Sequence, residues 1–96
     1  MKTRPVILFW YRKNTRNPAR PGTIYCRITV NGVEHNSATS IRTMKEDWSS
    51  EAQRLRGRSL TSKLANEELT RLENTLNDLA ADLARQGKPV TARRLW

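Results

Sequence analysis

The stretch from Thr23 to Arg42 constrains the fold more than any other part of the chain. TIYCRITV runs into Asn-Gly and continues as VEHNSATSIR. In its first half Ile24, Cys26, Ile28 and Val30 alternate with Tyr25, Arg27 and Thr29, the period of a strand with one core face and one wet face. Asn31-Gly32 tolerates the positive φ angles of a two-residue type I′ turn, so the strand folds back on itself at once. Such a turn sets the register: Val30 opposes Val33, Ile28 opposes His35, Cys26 opposes Ser37 and Ile24 opposes Thr39. The odd-numbered residues of the return strand then share the core side as far as Ile41. Glu34, Asn36, Ala38, Ser40 and Arg42 line the other side. The outward face therefore offers Tyr25, Arg27, Thr29, Asn36, Ser40 and Arg42, a set that fits a plain solvated face at least as well as a binding surface.

Val6 to Tyr11 is continuously apolar or aromatic and reads as a further strand, with Ile7, Phe9 and Tyr11 inward and Val6, Leu8 and Trp10 outward. Asn14, Asn17, Pro18, Pro21 and Gly22 mark the segment from Arg12 to Gly22 as a loop. Between Thr43 and Gly57 the pattern is irregular; Met44 and Trp48 are expected under the sheet edge, and QRLRG suggests a short extra strand. From Leu60 to Gln86 the period changes to that of a long amphipathic helix, with Leu69, Leu72, Leu76, Leu79 and Leu83 spaced 3-4-3-4 and Ala80 and Ala84 beside them. Ser59 is the expected N-cap, and Gly87 followed by Pro89 the stop. At about 1.5 Å per residue this helix is roughly 40 Å long, more than three short strands cover, so its far end should overhang the sheet. The leucine stripe admits two readings, a helix packed on the sheet or a two-heptad seam for a partner helix; the sheet needs a cover, which favours the first. The expected fold is α+β, a three-stranded antiparallel β-sheet packed against one long C-terminal α-helix. VTARRLW then begins a second helix with Thr91 as its cap, which places an expected boundary after residue 88 and makes 89–96 a linker or the start of a next domain.

Charge adds direction to this outline. The chain carries a formal +9 at pH 7, unevenly: residues 1–58 hold twelve Lys/Arg against four Asp/Glu, and residues 59–96 hold six against five. A positive field confined to the sheet-forming segment is the footprint of a phosphate-backbone binder, although a generically basic protein has the same total.

Catalytic and metal chemistry find little to work with. One cysteine, Cys26, on the core side of a strand, reads as a buried structural thiol and permits no intrachain disulfide. With one histidine besides, a zinc site lacks its ligands. His35, on the core side opposite Ile28, reads as a structural histidine rather than a general base. Glu46-Asp47 and Glu67-Glu68 are helix-start and solvated-face charges, and no Gly-rich phosphate loop is present. No cofactor is expected, and no apolar run reaches a membrane span or forms a secretion signal.

Five pieces in order carry a family resemblance: Tyr11-Arg12-Lys13 at a strand end, IYCRITVNG from Ile24 to Gly32, Trp48 in KEDW, QRLRG from Gln53 to Gly57, and GKPVT from Gly87 to Thr91. Together they make Val6 to Thr91 resemble the N-terminal arm-type DNA-binding domain of tyrosine recombinases, the phage-integrase family, in the form common in Bacteroidetes mobile elements. The resemblance implies a non-catalytic module, residues 1–88, that sets its exposed sheet face into the major groove of arm-type sites beside the recombination site, with residues 89–96 leading toward a core-binding domain. It places Tyr25, Arg27, Thr29, Asn36, Ser40 and Arg42 toward the groove, with Arg suited to guanine and Asn to adenine. Arg12, Lys13, Arg16 and Arg20 would hold the backbone. The implied partners are double-stranded DNA and the catalytic domain of the same full-length recombinase, with the isolated domain monomeric and the protein in the bacterial cytoplasm at the nucleoid. The nucleophilic tyrosine of such enzymes lies in that separate domain; Tyr11 and Tyr25 sit in strands without a catalytic cluster. Tyr11 stands where most members have Leu, and Ser37 and Ser40 stand where the third strand usually has a large apolar residue and Gly, which implies a looser core near the sheet edge. A protein-interaction or dimerisation module working through the leucine stripe, and an RNA-binding domain stacking bases on Tyr25, are the alternatives.

Overall fold

The computed structural model describes residues 4–96, apart from the side chains of residues 93 and 94; residues 1–3 of the expected domain lie outside it. Strands β1 (Val6–Arg12), β2 (Gly22–Val30) and β3 (Val33–Thr43) form one antiparallel sheet in the order β1-β2-β3. Asn31 and Gly32 both take positive φ, 52° and 80°, as a type I′ turn demands. The register next to the turn follows from it: Val30 faces Val33, Ile28 faces His35 and Cys26 faces Ser37.

One expected pair is missing. Beyond Tyr25–Ala38 the ladder slips and resumes at Thr23–Arg42 and Gly22–Thr43, so Ile24 does not pair with Thr39. Two surplus residues are absorbed in β3, an even number, which keeps Ile41 on the core side and Arg42 on the outer side. The Thr39 hydroxyl fills the gap: it donates to the Ile24 carbonyl at 2.7 Å and accepts from the Ile41 amide at 3.2 Å. A backbone donor and acceptor left without a ladder partner are thereby satisfied.

Strand β1 pairs with β2 through Ile7–Ile28, Phe9–Cys26 and Tyr11–Ile24, all inward, and Leu8–Arg27 and Trp10–Tyr25, both outward. Phe9 is buried and Ile7 and Tyr11 pack against the core, whereas Val6 is exposed. Gly22 is required by close approach: a Cβ there would stand 2.4 Å from the Arg12 carbonyl oxygen and 2.6 Å from the Tyr11 ring.

After a 3₁₀ turn at Lys45–Asp47, β4 (Trp48–Ser49) and β5 (Arg54–Leu55) form a second, two-stranded sheet, which is the extra strand suggested by QRLRG. Trp48 is buried in the core. Two amides tie this small sheet to its neighbours. The Asn66 side chain accepts from the Leu55 amide at 2.8 Å and donates to the Leu55 carbonyl at 3.1 Å, copying a strand edge. Gln53, held at φ 54°, accepts from the Phe9 amide at 3.0 Å and so occupies part of the open edge of β1.

Helix α1 runs from Leu60 to Arg85. Ser59 caps it by accepting from the Ser62 amide at 3.1 Å. Gly87, at φ 69°, ends it in a Schellman motif: Lys88 N donates to the Leu83 carbonyl and Gly87 N to the Ala84 carbonyl. Leu69, Leu76 and Ala80 are buried with Phe9, Ile24, Cys26 and Ile28, while Leu72 and Leu83 lie at the margin. Burying one leucine fully stabilises by about 1.5–3 kcal/mol, so the stripe's strongest positions are committed to the sheet rather than to a partner helix. Leu79 is an exception, exposed at 37 % on the rim of the stripe. Val33 also departs from the pattern, 66 % exposed beside the turn although its parity puts it on the core side. A second helix, α2 (Ala92–Leu95), packs on β2 and β3 and seats Ala92 and Leu95 in the same core. The inner face of the sheet is thus covered by two helices, and among the described residues no helix lies on the outer face.

Candidate functional site

The uncovered face is built from alternate residues of three strands. Across β1, β2 and β3 it presents Trp10 and Arg12, then Thr23, Tyr25, Arg27 and Thr29, then Glu34, Asn36, Ala38 and Arg42. At its centre, two adjacent aromatic rings are flanked by two guanidinium groups. Arg27 lies over the Trp10 ring at 5.7 Å, Trp10 meets Tyr25 at 5.0 Å with the planes tilted by 39°, and Arg12 lies over Tyr25 at 5.2 Å. Arg12 also donates to the Tyr25 hydroxyl at 3.0 Å. Cation–π contacts at such sites contribute about 0.5–1 kcal/mol each, and the aromatic pair about 0.5–1.5 kcal/mol. These sums are small against the fold's total. Their use is to hold two long arginine side chains in place before any partner arrives, which lowers the ordering cost of contact.

Asn36 ties together the first two members of this row. Its Oδ1 accepts from Trp10 Nε1 at 3.2 Å and from Arg27 Nε at 3.2 Å. Glu34 is the one acidic side chain among the described residues of this face, 3.8 Å from Arg27 Nε and half exposed.

At the far end of the sheet, away from the turn, the β1–β2 loop and the strand ends beside it line an open cleft of about 300 Å³. Arg12, Lys13, Arg16 and Arg42 line it with Asn14, Thr15, Pro21, Thr23 and Tyr25; no carboxylate among the described residues does. The loop owes its shape to its asparagines. Asn14 Oδ1 accepts from the amides of Arg16 (3.0 Å) and Asn17 (3.1 Å), and Asn17 Oδ1 accepts from the Ala19 amide at 3.0 Å. Four cations around one small opening repel one another unless an anion sits between them, and the sheet slippage brings the fourth: resumed pairing places Arg42 beside Thr23.

The residues singled out from sequence fall into three groups. Tyr25, Arg27 and Asn36 make the linked centre; Arg12, Lys13, Arg16 and Arg42 make the cleft; Thr29, Ser40 and Arg20 stand apart from both. Thr29 sits near the turn end between Val6 and Glu34, Ser40 is exposed in the slipped stretch, and Arg20 is an exposed loop residue whose amide donates to the Asn17 carbonyl at 3.0 Å. Sequence reasoning placed Trp10 outward but gave it no role, although a large aromatic on the wet side of an edge strand is a signal in its own right. Thr23 was given no role either, and Asn14 was read only as a marker of the loop.

Cys26 is fully buried behind this face, and burial, with a smaller contribution from the Glu73 carboxylate, pushes its thiol up to about 11. Its thiolate is suppressed at neutral pH, which suits packing and not nucleophilic chemistry. His35 is half-buried and shares a 2.9 Å hydrogen bond with Ser37 Oγ. Among the described residues no three His, Cys, Asp or Glu side chains come together as a metal site. Nor is any described helix long and apolar enough to cross a membrane.

The family model described as Arm DNA-binding domain matches residues 9–95, from the middle of β1 to the last residue of α2. No curated protein and no solved structure matches the chain.

Proposed function

We propose a mode of DNA recognition that proceeds from one premise: the chain belongs to the Arm DNA-binding domain family, the arm-type modules found in tyrosine recombinases and integrases. Arm domains bind DNA and are non-catalytic. In our reading the uncovered face enters the major groove of double-stranded arm-type sites, as the N-terminal domain of a site-specific recombinase acting in DNA integration. A sheet ribbon fits that groove, and its outward side chains meet base edges. Arg27, Asn36 and Tyr25 take the central, base-reading position with Thr29 and Ser40 toward the edges, and Arg12, Lys13, Arg16 and Arg42 hold phosphates at the cleft, with Arg20 nearby. The observation that carries this reading is the opposition of faces: both helices lie on one side of the sheet, and the preordered arginines and the cleft lie on the other.

In the same reading the module is monomeric by itself, and residues 89–96 form the junction toward the catalytic part of the full-length recombinase, with α2 anchoring that junction to the sheet. Dimerisation through the helix is the weaker alternative, because Leu69 and Leu76 are 0 % and 3 % exposed. Single-stranded RNA is weaker too: the Trp10 and Tyr25 rings that could stack bases are flanked by each other and by Arg27 and Arg12.

The test is a titration of labelled backbone amides with duplex DNA carrying candidate arm sites, in competition with single-stranded RNA. Shifts are expected on β2, β3 and the β1–β2 loop, and Arg27→Ala is expected to cost about 1–3 kcal/mol of binding as a base contact does. Shifts confined to α1, or stronger competition by RNA, would overturn the reading.

A further inference from the structure

The Asn36 amide is oriented by its neighbours. Trp Nε1–H and Arg Nε–H are donors and never acceptors, so the atom that both address must be the carbonyl oxygen; with the amide reversed, two donors would face two donors. Both lone pairs of Oδ1 are therefore engaged inside the protein, by Trp10 from β1 and Arg27 from β2. What Asn36 shows to the outside is its Nδ2, which has no hydrogen-bond partner among the described residues, on an exposed side chain. Arg27 is in the same condition: its Nε is engaged by Asn36, and its terminal nitrogens make no hydrogen bond among the described residues. At Asn36 and Arg27 themselves the groups left free are thus donors, with the Glu34 carboxylate paired to Arg27 Nε at 3.8 Å beside them.

Asparagine ordinarily reads adenine in a bidentate way, donating to N7 and accepting from the N6 amino group. With the acceptor half of that pair engaged, the amino group of adenine meets no free lone pair. Guanine instead presents N7 and O6, two acceptors side by side on the major-groove edge. Resting on the duplex-binding reading above, we infer that Asn36 and Arg27 together select guanine, not adenine, at the centre of the recognition site, and that Trp10 sets this choice as a positioning residue without touching the base.

The inference is tested by selecting binding sites from a randomised duplex pool with the wild-type chain and with Trp10→Phe and Asn36→Ala. Phenylalanine keeps a ring against Tyr25 but has no N–H, so one Oδ1 lone pair becomes free. The expected wild-type consensus has guanine at the position whose preference Asn36→Ala abolishes. Trp10→Phe should move that one position roughly tenfold toward adenine and leave the others unchanged, a shift within the span of a single base contact. Adenine in the wild-type consensus at that position, or an unchanged preference in folded Trp10→Phe, overturns the inference while duplex binding stands. Failure of the wild type to retain any duplex overturns both. A second measurement needs no variant: 7-deazaguanine, which lacks the N7 acceptor, placed at that position should weaken wild-type binding roughly tenfold. Unchanged affinity there also refutes the donor-only assignment.

Discussion

Replacing Arg16 with alanine removes one of the four cations that line the cleft beside the β1–β2 loop. If each of the four neutralises one phosphate, each contributes about −0.9 to the slope of log affinity against log salt, or roughly −3.6 together. Raising salt from about 50 to about 200 mM is a fourfold change, so each contact accounts for roughly a 3.5-fold loss and all four for a loss of roughly 150-fold. Arg16→Ala and Arg42→Ala should each flatten the slope by about 0.9, and the double variant by about 1.8. Lys63, exposed on α1 on the helical side of the sheet, is the control: Lys63→Ala should leave the slope as it was. Fluorescence anisotropy of a labelled duplex across that salt range measures all of these. Slopes unchanged in the Arg16 and Arg42 variants, or flattened equally by Lys63→Ala, would show that phosphates do not enter the cleft.

Three further outcomes concern the scaffold. Gly22→Ala forces a Cβ to 2.4 Å from the Arg12 carbonyl oxygen; it should cost about 1–3 kcal/mol, seen as a melting temperature lower by several degrees, and an unaltered melt would refute the close-approach argument. Asn66→Ala leaves the Leu55 amide and carbonyl without their clamp and should cost about 1–3 kcal/mol in chemical denaturation, with faster hydrogen exchange at the Leu55 amide. Cys26 holds its proton to about 11 in the folded chain, against 9.0 for an ordinary thiol. Between these values the folded state keeps a proton that the unfolded state has lost, so stability should fall as pH rises through this window. Subtracting the profile of Cys26→Ala isolates the effect, and identical profiles would contradict it.

Some elements were legible because their causes are local. Alternation from Ile24 to Val30, the Asn31-Gly32 turn, the Ser59 cap and the Gly87 stop each depend on residues within a few positions, and each stands where its chemistry required. The outward placement of Tyr25, Arg27 and Asn36 follows from the same parity. The slippage after Tyr25 was not legible, since nothing in NSATSIR announces that the Thr39 hydroxyl will bridge the two strands. Leu79 and Val33 look like core residues by period and are exposed, because period records a face and not how fully that face is covered.

What the chain dictated alone was a basic hairpin with a wet outer side, a third strand and a helix to cover its inner side, all consequences of side-chain period and turn stereochemistry. Only the folded molecule joined Trp10, Arg27 and Asn36 from three strands into one hydrogen-bonded set and formed a cleft by bringing Arg42 to the loop of Arg12, Lys13 and Arg16. Hydrogen-bond saturation at Asn36 Oδ1 and the gathering of four like charges around one cleft join residues up to thirty positions apart in the chain. Groupings of that kind exist only after strand pairing has chosen its register.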